Sequence, residues 1–471
     1  MTLATLDPKR WKALALLCAA QFIVILDTSI IGVALPAIQS DLGFSDEGLS
    51  WIFNAYVIAF GGLLLLGGKL ADVFGARRIF MTGFAILTTA SAVAGLAESQ
   101  TVLLVGRAIQ GGGAALIAPA ALTILMRLFG GQPTELGKAF GFWGAAAAAG
   151  GTAGVFLGGV FTEWTSWSWT FLVNIPLGLA VLLIGPAVLR AIPGNRGKIG
   201  LIDSVLVTGA VIAAVYAIVT GEQVGWIVPQ TLGLLGLAAA LLGAFVIVQA
   251  LSNEPLLPLR IFRAPGLAVG NLIMALLGAA WIPLWFFLNL YLQTVLNLSA
   301  FGSGLALLPM TLTIMLMMVR VTGPLIGRFG VKPLLVTGLL TLALALALFA
   351  KLTEDGTFLV NVLPVSLLAA VGMSLAYIPV TMTGMGGAAP EDTGLASGLI
   401  NTTYQVGSAL GLAVTVSLAA SMAGSGGDAT ATLLAGYQTA FLGAAGVAAL
   451  AALAALTLIR GKTATKDVPV G

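Results

Sequence analysis

Asp27 lies in the run Phe22-Ile23-Val24-Ile25-Leu26-Asp27-Thr28-Ser29-Ile30-Ile31, and no other acid sits so far inside an apolar stretch of this chain. An ionised carboxylate surrounded by hydrocarbon is costly, so the group must be paired, hydrated or protonated. A carboxyl under the opposing influences of desolvation and a nearby cation can take and release a proton as its surroundings alternate. A fixed acid that ties neighbouring helices together is the plainer alternative. Arg107, in Arg107-Ala108-Ile109-Gln110-Gly111-Gly112-Gly113, is the second such residue. Helical spacing puts Arg107, Gln110, Gly111 and Ala114 on one face. A guanidinium cannot be neutralised and needs a carboxylate, a carbonyl or water. Asp27 or an acid on a substrate are candidate partners, against a static tie to backbone carbonyls.

Other chemistry is excluded by what the chain lacks. It contains no histidine, which removes Ser-His and Cys-His nucleophile schemes, and one buried Asp does not make a carboxylate dyad. Gly197-Lys198 is followed by Ile199, and Gly461-Lys462-Thr463 has no upstream glycine, so no phosphate-binding Gly-x-x-x-x-Gly-Lys-Ser/Thr loop occurs. The single cysteine, Cys18, cannot form an internal disulfide. These absences read as a protein that is not an enzyme and uses no cofactor or metal. Its energy comes from a gradient.

The elements that must hold Asp27 and Arg107 follow from composition. Of 471 residues, 59% are hydrophobic and 8% charged, against about 25% charged in soluble domains. Mean hydropathy is +1.06, so lipid is the solvent, where only helices or closed barrels satisfy the backbone. The apolar runs are helix-length, and fourteen spans are expected. They cover 13–36, 49–68, 79–97, 102–125, 139–161, 168–189, 201–220, 231–250, 266–291, 302–323, 334–351, 359–381, 395–420 and 435–458. With the N-terminus inside, every Lys and Arg except Arg107, Arg320 and Lys351 falls in a cytoplasmic connection or tail. The outer loops carry Asp41, Asp46, Glu47, Glu98, Glu163, Glu222, Glu354, Asp355 and Asp428. This positive-inside bias puts both termini in the cytoplasm of a cell-membrane protein. It also accounts for the basic pI of 9.0 without nucleic acid.

The turn Gly68-Lys69-Leu70-Ala71-Asp72-Val73-Phe74-Gly75-Ala76-Arg77-Arg78 is echoed by Gly323-Pro324-Leu325-Ile326-Gly327-Arg328-Phe329-Gly330-Val331-Lys332. A six-span repeat explains the echo: 1–200 as one half, 201–255 as an inserted pair, and 256–471 as the other half. Such repeats hold their substrate at the interface, near the bilayer midplane. Gly68 and Gly75 allow a sharp turn, and Asp72, beside Arg77 and Arg78, can bridge to a neighbouring helix end as a latch. Gly141, Gly150, Gly151, Gly154, Gly158 and Gly159 mark a tight crossing or a hinge against the other half. For a substrate surface, the polar and aromatic residues inside spans are Asn54, Tyr56, Trp281, Trp285, Asn289, Gln293, Tyr377, Asn401, Tyr404 and Gln405, with Phe286 beside them. An aromatic wall with few hydrogen-bonding groups suits a bulky lipophilic ligand, cations included. Trp164, Trp167 and Trp169 read as anchors at the membrane boundary.

Together these motifs resemble the fourteen-helix drug:proton antiporters of the major facilitator superfamily. Leu26-Asp27-Thr28-Ser29-Ile30-Ile31-Gly32-Val33-Ala34-Leu35-Pro36 resembles that family's first-helix motif, whose acid is implicated in proton coupling. The Gly68–Arg78 turn resembles the superfamily's cytoplasmic signature, with Val73 where a basic residue is common. Arg107-Ala108-Ile109-Gln110-Gly111 resembles the fourth-helix motif, whose arginine is linked to proton transfer. The glycines from Gly141 to Gly159 have the spacing of the exporter motif, with Val155 in place of its proline. Trp169-Thr170-Phe171-Leu172-Val173-Asn174-Ile175-Pro176-Leu177-Gly178 is similar to the fourteen-helix branch. The resemblance implies an all-α bundle of two six-helix halves plus two helices, acting as a monomer in the bilayer. It implies export of drugs, antibiotics or dyes in exchange for protons. A facilitator or importer of one metabolite on the same fold is the rival.

Overall fold

A computed structural model describes residues 9–44, 46–49, 51–131, 133–190, 194, 201–252, 255, 259–389, 392–420 and 429–459. The basic tail beyond 459, Asp428, and the expected half boundaries at 200 and 256 lie outside the described residues.

Long helices dominate and no strand occurs among the described residues. They are α1 (Arg10–Ser29), α2 (Trp51–Phe74), α3 (Ala76–Gly95), α4 (Gln100–Phe129), α5 (Pro133–Trp164), α6 (Asn174–Val188) and α7 (Leu201–Val224). After them come α8 (Pro229–Leu251), α9 (Leu267–Leu290), α10 (Ala300–Leu316), α11 (Val331–Phe349), α12 (Leu363–Met385), α13 (Thr393–Ala420) and α14 (Ala429–Leu458). Short segments extend some of them: Ile31–Leu42 continues α1, and Trp169–Leu172 precedes α6. Twelve helical spans among the described residues are long and apolar enough to cross a membrane. The two other expected spans correspond to α7, a helix of 24 residues, and to α13, which carries the polar run Asn401-Thr402-Thr403-Tyr404-Gln405.

Local chemistry sets the ends. The Ser99 hydroxyl caps α4 by accepting the Val102 N–H at 3.4 Å, and Ser299 caps α10 by accepting that of Gly302 at 3.0 Å. Gly75 (φ +93°) turns α2 into α3, and Gly330 (φ +83°) makes the equivalent turn into α11. Both positions need the left-handed backbone that favours glycine. The sequence echo is therefore a conformational echo.

Packing echoes too. In the first six helices α1 packs on α5, and α2 and α3 on α4; in the last six α9 packs on α13, and α10 and α11 on α12. The two groups meet where α5 lies on α10 and α2 on α13. Helices α7 and α8 pair with each other, and α7 lies across both α2 and α13. Gly61 and Gly62 of α2 admit Val215 and Ile212 of α7, the Trp51 and Tyr216 rings sit 5.4 Å apart, and the Trp226 indole donates to Ser417 Oγ at 3.0 Å.

Candidate functional site

Asp27 and Arg107 meet at the centre of the first six helices. Asp27 is 1% exposed and Arg107 0%. Arg107 Nη1 donates to Asp27 Oδ2 at 3.1 Å and to Gln110 Oε1 at 3.1 Å, while its Nε donates to the Ile52 carbonyl at 3.0 Å. The predicted face of α4 is thus used as a unit. Gln110 Nε2 donates to Asp27 Oδ1 at 3.0 Å and to Ser91 Oγ at 2.8 Å. Asn174 Nδ2 adds a third donor to the carboxylate, reaching Oδ1 at 2.6 Å. The guanidinium lies over the Tyr56 ring at 4.4 Å and near that of Phe171 at 5.8 Å. Two charges removed from water are tolerated here because each is hydrogen-bonded beyond the pair itself.

Asn174 and Ser91 were not among the residues singled out from sequence. Asn174 is the first residue of α6, at the break after Trp169–Leu172, two residues before Pro176. That signal, a polar residue at a helix discontinuity in an apolar run, was present in the sequence. Tyr56, expected in the substrate wall, sits instead under Arg107.

The glycines of α5 form two rows. Gly150, Gly154 and Gly158 face α1: side chains there would meet the Phe22 carbonyl at 2.5 Å, Ile30 N at 2.9 Å and the Ile30 carbonyl at 2.6 Å respectively. This row clamps the α1 turns on both sides of Asp27. Gly137, Gly141 and Gly144 face Gly323 and Met318 of the other group. Higher up, the Thr152 and Thr311 hydroxyls are hydrogen-bonded, and Val155 rests on Gly304 of α10. With Val155 in place of proline, α5 runs as one helix through this contact. Gly154→Val forces its methyls into α1 backbone, and a loss of about 1–3 kcal/mol is expected, seen as a lower melting temperature in detergent.

Asp72 is buried at the end of α2, where its Oδ1 accepts the Gly394 N–H and its Oδ2 the Leu395 N–H, both at 2.9 Å. It caps the first turn of α13. Gly68 lets the two helices cross there, its Cα against the Gly394 carbonyl. Arg77 Nη2 reaches the Pro186 carbonyl at 3.4 Å, and Arg78 is exposed.

The substrate candidates divide. Trp281 and Trp285 stand edge to face at 6.3 Å on α9, and Tyr377 meets Tyr404 edge to face at 6.3 Å across α12 and α13. Gly278, one turn from Trp281, lies against Tyr404, so the helices that carry the two aromatic pairs pack closely. Asn289 accepts from Gln293 at 3.1 Å, and Gln293 also donates to Ser303 at 3.3 Å. Asn401 donates to its own helix at Ser397. Gln405 is half-buried on α13, Asn54 is buried on α2, and Phe286 is exposed. An apolar crevice bordered by Leu63, Leu66, Ile86, Ile109 and Leu116 contains none of them. Of the three boundary tryptophans, Trp164 and Trp169 are exposed as expected, whereas Trp167 is buried and donates its indole N–H to Asp41 at 2.8 Å.

Comparison with known proteins gives concordant relatives. The sequence profile of the Major Facilitator Superfamily matches residues 17–412. The chain is 40% identical over 442 residues to the cephamycin export protein CmcT of Amycolatopsis lactamdurans, covering 92% of this chain and 89% of that protein. It is 37% identical over 476 residues to the puromycin resistance protein pur8 of Streptomyces alboniger, covering 98% and 93%. The crystal structure of the human organic anion transporter MFSD10 (TETRAN) superposes with a TM-score of 0.69 over 95% of this chain and 100% of that one. At 16% identity that likeness concerns the fold.

Proposed function

The chain belongs to the major facilitator superfamily, and from that premise we propose that it is a proton-coupled antiporter exporting lipophilic small molecules of the antibiotic, drug or dye type. The export and resistance relatives support the substrate class. The coupling reading is carried by one observation: a fully buried carboxylate, Asp27, wired to Arg107, Gln110 and Asn174 inside the helix bundle. Facing outward, Asp27 takes a proton as the load leaves; facing inward, it gives that proton to the cytoplasm. Arg107 tunes the exchange by losing its counterion each time Asp27 is protonated. In this reading fourteen helices span the cell membrane with both ends cytoplasmic, the protein acts as a monomer, and the halves 1–200 and 256–471 rock against each other around a substrate site at their interface. The parallel packing of the two helix groups supports that division, with 201–255 as the inserted pair.

The test is transport by inverted membrane vesicles. Uptake against a concentration gradient, driven by an imposed pH gradient and collapsed by a protonophore, is the expected result. Uptake that only equalises concentrations and ignores the protonophore makes the chain a facilitator.

Asp72 serves as a latch in this scheme, holding the cytoplasmic ends of α2 and α13 together through a carboxylate on a helix N-terminus. Asp72→Asn removes the charge and turns one acceptor into a donor facing an N–H. A shift of about 1–2 kcal/mol toward the unlatched state is expected. Spin-label distances between the two helix ends should broaden, and efflux should fall about tenfold. An unchanged distance distribution removes the latch.

A further inference from the structure

Two neutral side chains, Gln110 and Asn174, hydrogen-bond the Asp27 carboxylate, a third, Ser91, holds Gln110, and the three differ in their freedom to reverse. Ser91 donates its hydroxyl to the Leu87 carbonyl at 2.7 Å and accepts from Gln110. Gln110 is fixed at both ends of its amide, because Oε1 accepts from Arg107 and Nε2 donates to Ser91. Turning it over would set its N–H groups against those of Arg107. Asn174 is different. Its Nδ2 donates to Asp27 at 2.6 Å, while its Oδ1, fully buried, has no hydrogen-bond partner among the described residues. A buried amide oxygen without a partner is uncommon and costly, and here it belongs to the side chain in shortest contact with the acid.

On the reading of Asp27 as the proton carrier, we propose that Asn174 is a proton-following positioning residue whose amide turns over when Asp27 is protonated. With the carboxylate ionised, the amide N–H donates to Asp27 Oδ1. When a proton from solvent binds that oxygen, an O–H bond forms and the carboxylate charge is cancelled. A fixed amide N–H would then oppose the new O–H. Rotation brings Oδ1 of Asn174 round to accept it, and the idle acceptor acquires a partner. The turn breaks no other hydrogen bond of the Asn174 side chain: the unpartnered position passes from its oxygen to its NH2, and Asp27 keeps a hydrogen bond with Asn174 in both charge states. Arg107 from α4 and Tyr56 from α2 are the ionisable groups facing Asp27. From the other elements packed around it, α3 contributes Ser91, α5 its glycine row and α6 Asn174 itself. The reversal therefore rests with Asn174.

The experiment is infrared difference spectroscopy on the full-length protein reconstituted in lipid, recorded across a pH titration. Wild type is expected to show an asparagine amide C=O band that shifts with the same midpoint as an Asp27 carboxyl band. The amide band is assigned by its loss in Asn174→Leu, and the carboxyl band by its loss in Asp27→Asn. Efflux by Asn174→Leu is expected to fall about tenfold with its pH midpoint nearly unmoved, since both charge states lose one hydrogen bond. A silent amide band beside a titrating carboxyl band overturns the inference and leaves Asp27 as the carrier. A permanently fixed donor would predict that Asn174→Leu keeps turnover and moves the midpoint about one unit alkaline, because only the carboxylate would lose support; that result also overturns it. If no Asp27 band titrates, the coupling reading falls and this inference with it. Should the leucine variant not fold, Asn174→Asp, nearly the same shape, serves for the assignment.

Discussion

Asp27→Asn is expected to abolish gradient-driven efflux, at least about a hundredfold, while leaving substrate binding within a few-fold of wild type. The substitution preserves shape and removes the cluster's only carboxyl. Its amide oxygen can still accept from Arg107, but its NH2 faces the fixed donor of Gln110. Arg107 retains the Ile52 carbonyl, Gln110 Oε1 and the Tyr56 ring, so the bundle folds with reduced stability. Removing one partner of a buried ion pair costs up to about 3–5 kcal/mol, and an amide left in its place keeps part of that. The measurements are pH-driven uptake into inverted vesicles, ligand binding to the purified variant, and elution as a monodisperse peak. Normal pH-driven uptake by this variant would falsify the role of Asp27.

Arg107→Ala acts on the other side of the same pair, with a larger structural effect. It leaves Asp27 with only the neutral amides of Gln110 and Asn174, strips a donor from the Ile52 carbonyl, and opens a hole above Tyr56. A stability loss of about 3–5 kcal/mol is expected, together with a flattened pH dependence of efflux. Arg107→Lys separates charge from geometry. An ammonium keeps the charge but not the planar fork that serves Asp27, Gln110 and Ile52 at once. It should recover thermal stability in part and coupling hardly at all. A pH profile unchanged from wild type in both variants would remove Arg107 from the proton cycle.

The readable part of this site was its charged part. Asp27 and Arg107 declare themselves because ions inside apolar runs demand partners, and helical spacing then brought Gln110 along on the Arg107 face. Asn174 and Ser91 carry no charge, and which amide meets Asp27 and which hydroxyl meets Gln110 is decided by how α6 and α3 dock, which single-helix periodicity does not encode. Tyr56, expected in the ligand wall, has its ring under Arg107. An aromatic ring in a span serves equally as a wall for ligand or a face for a cation. The turn glycines were legible through their repeat, since Gly75 and Gly330 share a backbone requirement, and Asp72 was correctly expected to reach a neighbouring helix end. Each of the fourteen expected spans has a long helix at its place, and the polar run on α13 lowers the hydropathy of one packed between α9 and α2. The α5 glycines were recognised as packing devices, but their division into two rows pointing at different partners emerges only from the assembled bundle.

That division gives α5 the properties of a lever. One edge bears on the backbone of α1 on either side of Asp27, the other on Gly323 and Met318 of the opposing group. Gly141 meets main chain, as the row on α1 largely does, whereas Gly144 meets the Met318 side chain. In the proposed antiport cycle a shift of the opposing group reaches the turns that aim the Asp27 carboxyl through this one helix, and cargo movement and proton affinity are geared by the same part.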